Sequence, residues 1–272
     1  MLHVDDFFWG GNAEFKNAVI NPLCNKFKTK SILSNSFTYV GLNITKSNGK
    51  IFIDQIGYIN AIDTVDISRE RQRGKDDLCT SDETSKYCKM IGKLNWAGNQ
   101  TRPDILFRVC QLCAKMKAPT VRDVINANKV VVTIKANPLK LCFPSLGNLL
   151  NVKFLCYADA LLGNLDSGKS AGGYIVFLAG NNSRYRSCPI VWKSRTIQRT
   201  VRSILAVEPP ALVDALDASY FVSDIFHEII NGGNSINSKL ALGCVRNLVP
   251  LIAFTDNNFK MLMQIRCLLR TD

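Results

Sequence analysis

The sequence predicts an α/β fold for the second half of the chain, where short apolar segments alternate with one long amphipathic helix. Residues 154–158, 172–178 and 190–193 have the length and the β-branched and aromatic content of strands. The spacing of apolar residues over 211–230 predicts a helix, and residues 250–254 form a further predicted strand. Strands followed by a crossover helix and another strand predict a mixed sheet with flanking helices.

A smaller α+β region is predicted ahead of this unit. Residues 37–54 alternate apolar and other side chains around Asn48 and Gly49, a pair that tolerates positive φ and favours a β-hairpin. A polar linker should follow, and Glu83 lies three residues after Thr80, which is the spacing of a capping box. Three helices are predicted, beginning after Thr80, near Pro103 and after Thr120.

Composition and charge limit the possible partners. The chain has 272 residues, of which 47% are hydrophobic, and 34 Lys and Arg against 22 Asp and Glu give a net charge of +12. This composition excludes wholesale disorder. The basic excess favours a polyanionic partner, either nucleic acid or an anionic membrane surface, and a basic protein without such a partner is the alternative.

Two further classes of protein are not expected. No apolar run approaches the roughly 20 residues of a membrane helix, and Asp5 and Asp6 interrupt the position of a secretory signal, so we expect an intracellular protein. Ten cysteines without a regular framework should be mostly free thiols. Cys110 and Cys113 form one Cys-x-x-Cys motif, but no second cysteine pair completes a zinc site and the chain has only two histidines. We therefore expect no structural zinc.

Three lysines mark one face of the first predicted helix. Lys86, Lys89 and Lys93 follow helical spacing, with the apolar residues toward another face. Such a face can contact a phosphate backbone, but a solvated helix face is the more common role of this pattern.

Three acids in the second half lie at the ends of predicted elements. Asp159 and Asp256 each follow a predicted strand, and Glu208 lies at the start of the predicted long helix. If the two strands are neighbours, the acids converge and need cations to offset their repulsion. Oxygen ligands favour Mg²⁺ or Mn²⁺, and two such ions can activate water for phosphodiester cleavage. Turns and helix caps are the structural alternative for each acid.

The motifs of the second half resemble the ribonuclease H domain of copia-type retrotransposon polyproteins. The matching segments are Tyr157-Ala158-Asp159-Ala160, Gly163-Asn164-Leu165, Ser170-Ala171-Gly172-Gly173-Tyr174-Ile175-Val176-Phe177-Leu178, Pro189-Ile190-Val191-Trp192-Lys193-Ser194-Arg195, Arg202-Ser203-Ile204-Leu205-Ala206-Val207-Glu208 and Phe254-Thr255-Asp256-Asn257. The resemblance implies a magnesium- or manganese-dependent ribonuclease, with Asp159, Glu208 and Asp256 as catalytic metal ligands.

The first half resembles the reverse transcriptase of the same polyprotein. The matching segments are His3-Val4-Asp5-Asp6, Phe37-Thr38-Tyr39-Val40-Gly41-Leu42-Asn43-Ile44, Tyr87 to Leu94 and Thr101-Arg102-Pro103-Asp104-Ile105. The resemblance implies the end of a polymerase palm over residues 1–62, with Asp5 and Asp6 as the paired catalytic aspartates. It further implies a linker with a helical thumb or connection over 63–145, and a ribonuclease H-like domain over 150–272 that is incomplete at its C-terminus.

The chain departs from the family in three places. The family has a third polymerase acid upstream of Asp5 and Asp6, so we expect no DNA synthesis by this chain alone. Pro209 and Pro210 follow Glu208 directly, and a proline steers the residue before it away from helical geometry. The family's fourth ribonuclease acid has no matching residue after Asn257. We therefore expect impaired activity.

These features lead to three hypotheses. The first is a ribonuclease that cleaves the RNA strand of an RNA–DNA hybrid. Its expected backbone contacts come from Lys169, Arg184, Arg186, Lys193 and Arg195, beside the lysines of the first helix. The second is a catalytically dead retroelement relic that at most binds nucleic acid, and the third is a chain that does not fold stably as a unit. The oligomeric state is left open.

Overall fold

The structure is a mixed α/β arrangement with two larger sheets and their helices. This computed structural model describes residues 2–3, 6–29, 33–163, 169–180, 186–197, 203–231, 249–255 and 263–264. Within these residues the sheets have the strand orders β3-β4-β5-β6 and β11-β10-β7-β8-β9, beside a two-stranded pair, β1-β2. The expectation of α/β structure with mixed sheet is thus confirmed in the described residues.

The N-terminal part consists of one strand pair and a short helical segment. Strands β1 (Leu2–His3) and β2 (Asp6–Phe7) are antiparallel. Helix α1 (Ala13–Phe15) continues through a π-helical turn into α2 (Asn21–Phe27). Lys28 ends α2 in the left-handed conformation, with φ of 49°.

The first larger sheet contains the predicted hairpin. Strands β3 (Ser36–Tyr39), β4 (Leu42–Ser47) and β5 (Lys50–Asp54) form an antiparallel meander, and β6 (Leu141–Phe143) joins β5 from beyond the helices. Asn48 and Gly49 both have positive φ, 49° and 70°, which is the geometry of a two-residue hairpin turn. The hairpin prediction is therefore confirmed.

The helical bundle lies between the two sheets in sequence. Its helices are α3 (Ile56–Asn60), α4 (Ser81–Gln100), α5 (Leu106–Cys113) and α6 (Val121–Ala136). The capping box of Thr80 and Glu83 is confirmed, and Thr120 with Asp123 forms a second one at α6. Leu94, on α4, has no exposed surface in the bundle core.

The second larger sheet has one crossover. Strands β7 (Val152–Leu161), β8 (Ser170–Gly180) and β9 (Ser187–Ile197) pair with one another in an antiparallel meander. Helix α7 (Ile204–Asn231) then returns the chain to β10 (Leu251–Thr255), which is parallel to β7 and carries β11 (Met263–Gln264) antiparallel on its outer side. The predicted order of strand, helix and strand is confirmed, with longer elements than expected.

Helix α7 covers one face of this sheet. Phe154 of β7 is 1% exposed and meets Phe226 of the helix edge to face, with ring centroids 6.1 Å apart. Gly172 of β8 permits the close approach of the helix, because a Cβ there would lie 3.2 Å from the Cβ of Ala211. The predicted apolar stripe of α7 is only partly buried, since Ile229 is 73% exposed.

A tryptophan joins the bundle to the second sheet. The indole Nε1 of Trp192, on β9, donates a hydrogen bond to the carbonyl oxygen of Gly98, on α4, at 2.9 Å. Helix α5 and strand β6 also pack against β9. None of the described helices is both long and apolar enough to cross a membrane.

Candidate functional site

Strands β7 and β10, at which Asp159 and Asp256 are predicted to lie, pair directly with each other. The strands are parallel, and Ala158 lies opposite Thr255. Asp159 and Asp256 are the next residues in sequence after this pair. Asp256 lies outside the described residues. The expectation that the two strands are neighbours is confirmed, and the position of the Asp256 carboxylate stays a prediction.

The Asp159 side chain lies on the face of the sheet opposite α7. Side chains alternate along a strand, and the buried Ala158 and Ala160 lie on the α7 side. Asp159 is therefore directed to the other face, where it is exposed and its Oδ1 accepts a hydrogen bond from the backbone N–H of Ala160 at 2.7 Å. This orientation was not foreseen from the sequence.

Glu208 lies in the second turn of α7, not at the start of the helix. The predicted helix began at residue 211, whereas α7 begins at Ile204, with the Ala206 N–H bonded to the side chain and carbonyl of Ser203. Val207 packs with Ala160, which places Glu208 near the same end of β7 as Asp159.

The double proline does not interrupt α7. Pro209 and Pro210 both lie inside the helix, so the expectation that they turn Glu208 out of helical geometry is wrong. Each proline lacks the N–H that a helical residue donates four positions back, which leaves the carbonyls of Leu205 and Ala206 without that bond.

The donor chemistry at this end of the sheet suits a hard cation, although a complete metal centre is not described. Asp159 and Glu208 offer carboxylate oxygens, which are the ligands that Mg²⁺ prefers. Over the described ranges, no group of three or more His, Cys, Asp or Glu side chains is placed to hold a metal ion. The predicted third ligand, Asp256, is outside those ranges, so the triad remains untested.

Helix α4 presents a basic face that also carries an aromatic side chain. Lys86 and Lys89 are exposed and Lys93 is half-buried, while the Lys86 Nζ lies 2.6 Å from Oδ2 of Asp82. Trp96 is 39% exposed one turn further along. Sequence analysis missed Trp96, although its spacing of seven residues from Lys89 places both on one helix face.

Lys193 and Arg195 lie on the exposed edge strand β9. Both are directed to the α7 side, because they are opposite Tyr174 and Gly172 of β8. Arg195 forms an ion pair with Asp214 of α7. The sequence did not indicate Asp214 as a functional residue, since its partner is brought to it only by the packing of α7.

The other predicted residues are described only in part. Asp6 is in β2, paired with His3, and Asp5 lies outside the described residues. Lys169 and Arg186 are exposed next to β8 and β9, and Arg184 also lies outside the described residues. The polymerase-like role of the aspartate pair stays a prediction.

Comparison with known proteins identifies two similar plant proteins. No model of a known protein family matches the chain. An uncharacterized mitochondrial protein of Arabidopsis thaliana is 26% identical over 192 residues, which cover 66% of this chain and 79% of that protein. The retrovirus-related Pol polyprotein from transposon RE1 of the same plant is 26% identical over 148 residues, covering 54% of this chain and 9% of the polyprotein.

One solved structure has a weak similarity. It is that of the foamy viral protease–reverse transcriptase in complex with an RNA/DNA hybrid, with a TM-score of 0.42 and 9% identity over 97% of this chain and 36% of that one. A similarity at this level carries no conclusion about this protein.

The sequence matches confirm the relationship that the motifs predicted. The chain is related to the Pol polyproteins of retrotransposons. Among its relatives, it matches most of a plant mitochondrial protein and a small share of the polyprotein of the RE1 element.

Proposed function

We propose that this chain is a retroelement-derived protein of the reverse transcriptase and ribonuclease H type that binds RNA–DNA hybrids and cleaves their RNA strand. The observation that carries the proposal is the parallel pairing of β7 with β10, on which Asp159 and Asp256 directly follow a paired residue. The crossover helix α7 brings Glu208 to the same end of β7. The relationship to a Pol polyprotein and the net charge of +12 support a nucleic-acid partner.

The proposed metal ligands are Asp159, Glu208 and Asp256. Mg²⁺ or Mn²⁺ bound there would supply an activated water and stabilise the charge on the leaving oxygen. The protein itself has to hold the hybrid, and Lys193 and Arg195 on β9 are cations on the α7 side of the sheet that would contact its backbone. The hybrid would be recognised by its shape and its 2′-hydroxyls more than by its sequence.

A second function is favoured by a specific observation. Asp159 lies on the face opposite α7, so it does not point directly to Glu208 as a compact metal centre requires. A retroelement relic that binds nucleic acid without cleaving it is consistent with this geometry. The lysine face of α4, with Lys86, Lys89, Lys93 and the exposed Trp96, would serve either function.

One experiment separates the two functions. An end-labelled RNA–DNA hybrid is incubated with the protein in millimolar Mg²⁺ or Mn²⁺, and the Asp159→Asn variant is compared with the wild type. The control is Asp217→Asn, which makes the same change on the exposed side of α7. If the chain is a ribonuclease, the wild type and the control cleave, and Asp159→Asn loses orders of magnitude in rate.

Binding is measured on the same proteins by fluorescence anisotropy at increasing salt. If the folded protein binds the hybrid with a steep salt dependence but never cleaves it, the second function, a relic that binds nucleic acid, is supported. Absence of hybrid binding even at low salt contradicts both functions.

A further inference from the structure

A shallow, open cleft lies between α7 and the edge strand β9. Backbone from Gly172 and Gly173 of β8 lines it, and Lys193 and Arg195 of β9 contribute two cations. Asp214 of α7 contributes the carboxylate that pairs with Arg195.

Strand register explains why these side chains meet. Lys193 is opposite Tyr174, and Arg195 is opposite Gly172, so both cations leave the sheet on the side of α7. Gly172 allows Ala211 to approach closely, and Asp214 follows one helical turn later, where it reaches Arg195. The cleft is therefore a consequence of a glycine in β8 and of the spacing along α7.

The charges in the cleft sum to +1. Lys193 and Arg195 contribute two positive charges and Asp214 removes one. Arg195 is 45% exposed and Asp214 is 29% exposed, so the ion pair is open to solvent on one side. A guanidinium has five N–H donors, and the pair with Asp214 leaves others for a ligand. The hydroxyl of Tyr174 is a further donor, and burial raises its pKa, so it stays protonated at neutral pH.

We propose that this cleft binds one phosphodiester group of a nucleic-acid backbone, with Lys193 and Arg195 as its direct contacts. A phosphodiester carries one negative charge, which matches the net charge of the cleft, whereas inorganic phosphate at neutral pH is a mixture of monoanion and dianion and carries more negative charge on average. Asp214 is a positioning residue that orients Arg195 and disfavours the dianion. This inference rests on the proposed binding of a hybrid.

The cleft lies a short distance along α7 from the proposed metal ligand Glu208. Asp214 lies six residues after Glu208 on α7, which corresponds to about 9 Å along the helix axis. A phosphate held by Arg195 would therefore anchor a strand a few nucleotides from the proposed cleavage position. Such an anchor fixes the register of the strand relative to Glu208.

The test compares two neutralising variants of the cleft with a matched control. Hybrid affinity is measured by fluorescence anisotropy over a range of salt concentrations for the wild type, Lys193→Gln and Arg195→Gln. Lys129→Gln removes an exposed lysine from α6, in the bundle. We expect each cleft variant to weaken binding and to lower the slope of log affinity against log salt by about 1, while the control keeps the wild-type slope.

The role of Asp214 is tested with inorganic phosphate as the competitor. Asp214→Asn keeps an oxygen acceptor for Arg195 but raises the net charge of the cleft, so phosphate should displace the hybrid at severalfold lower concentration than from the wild type. Unchanged competition would overturn the role of Asp214, since a purely structural residue would alter stability but not this ratio.

The possible failures are distinguishable. Salt-dependent hybrid binding that is unaffected by both cleft variants would overturn the cleft and leave the proposed function standing. Loss of hybrid binding by folded wild-type protein would overturn the proposed function, and the cleft with it. Thermal unfolding of each variant shows that it is folded before its affinity is compared.

Discussion

The helical bundle and the second sheet differ in how completely their sequences agree with their structures. In the bundle, both long helices begin at capping boxes, and the hydroxyl of the buried Tyr87 donates to the carbonyl of Leu112 at 2.8 Å. In the sheet, two prolines lie inside α7, and Tyr157 is 42% exposed on the face that α7 does not cover. The second sheet with its helix therefore departs from local sequence rules more than the bundle does.

The largest effect should come from the bundle core. Leu94→Ala removes a side chain with no exposed surface, packed between α4 and its neighbours, and we expect a loss of about 2–5 kcal/mol in the free energy of unfolding. The matched control is Leu139→Ala, at a position that is 47% exposed. Urea unfolding followed by circular dichroism measures both.

This pair of variants also tests the comparison between the two regions. If Leu94→Ala lowers the free energy of unfolding no more than Leu139→Ala does, the bundle lacks the tight core described above. The sequence of the bundle would then agree with its structure no better than that of the second sheet does. A large loss for Leu94→Ala alone supports that view.

The double proline should have the next largest effect. Replacing Pro209 and Pro210 with alanine restores two helical N–H donors, and we expect α7 to gain about 1–3 kcal/mol, because part of the gain is offset by a more flexible unfolded chain. Pro103→Ala is the control, since Pro103 opens a helical turn, where proline is favourable. Thermal unfolding measures the double variant and the control.

A stability gain with reduced hybrid cleavage would mean that the prolines hold Glu208 in a working position. A gain in stability without any change in hybrid cleavage would mean that the prolines destabilise α7 and have no role in function. No gain at all would contradict the view that the prolines strain α7.

Local signals explain what the sequence could predict. The turn at Asn48 and Gly49 and the capping box at Thr80 each depend on residues within four positions, and both were predicted correctly. The start of α7 was not, because proline at 209 is a local signal against helix that the packing of Val207 on Ala160 overrides.

The candidate site was less predictable for a related reason. Strand alternation could have placed Asp159 on the face opposite α7, but only once the face that α7 covers was known. Asp214 and Trp192 find their partners across elements distant in sequence, so no local pattern indicates them. The functional roles of Asp5 and Asp256 remain predictions, since both lie outside the described residues.

The smallest effect is a pH dependence at the start of α4. Glu83 accepts a hydrogen bond at 2.9 Å from the guanidinium of Arg71 and one at 2.7 Å from the backbone N–H of Thr80, and these bonds lower the pKa of its carboxyl. A lowered pKa means that the stabilisation is fully present above the ordinary glutamate pKa of about 4.3 and is lost as pH falls through the folded value.

Glu83→Gln should therefore cost about 1 kcal/mol or less at neutral pH and should cost progressively less as the solution is acidified below about pH 4. Arg71→Gln should reduce the same pH dependence, because it removes the partner that lowers the pKa of Glu83 most, whereas Arg73→Gln, an exposed neighbour on the same turn, should not. Urea unfolding between pH 3 and pH 7 measures this. If Glu83→Gln lowers the free energy of unfolding by the same amount at every pH, the charge of Glu83 does not contribute to stability and Glu83 acts only as a neutral cap. The start of α4 would then be stabilised by hydrogen bonds to the backbone alone.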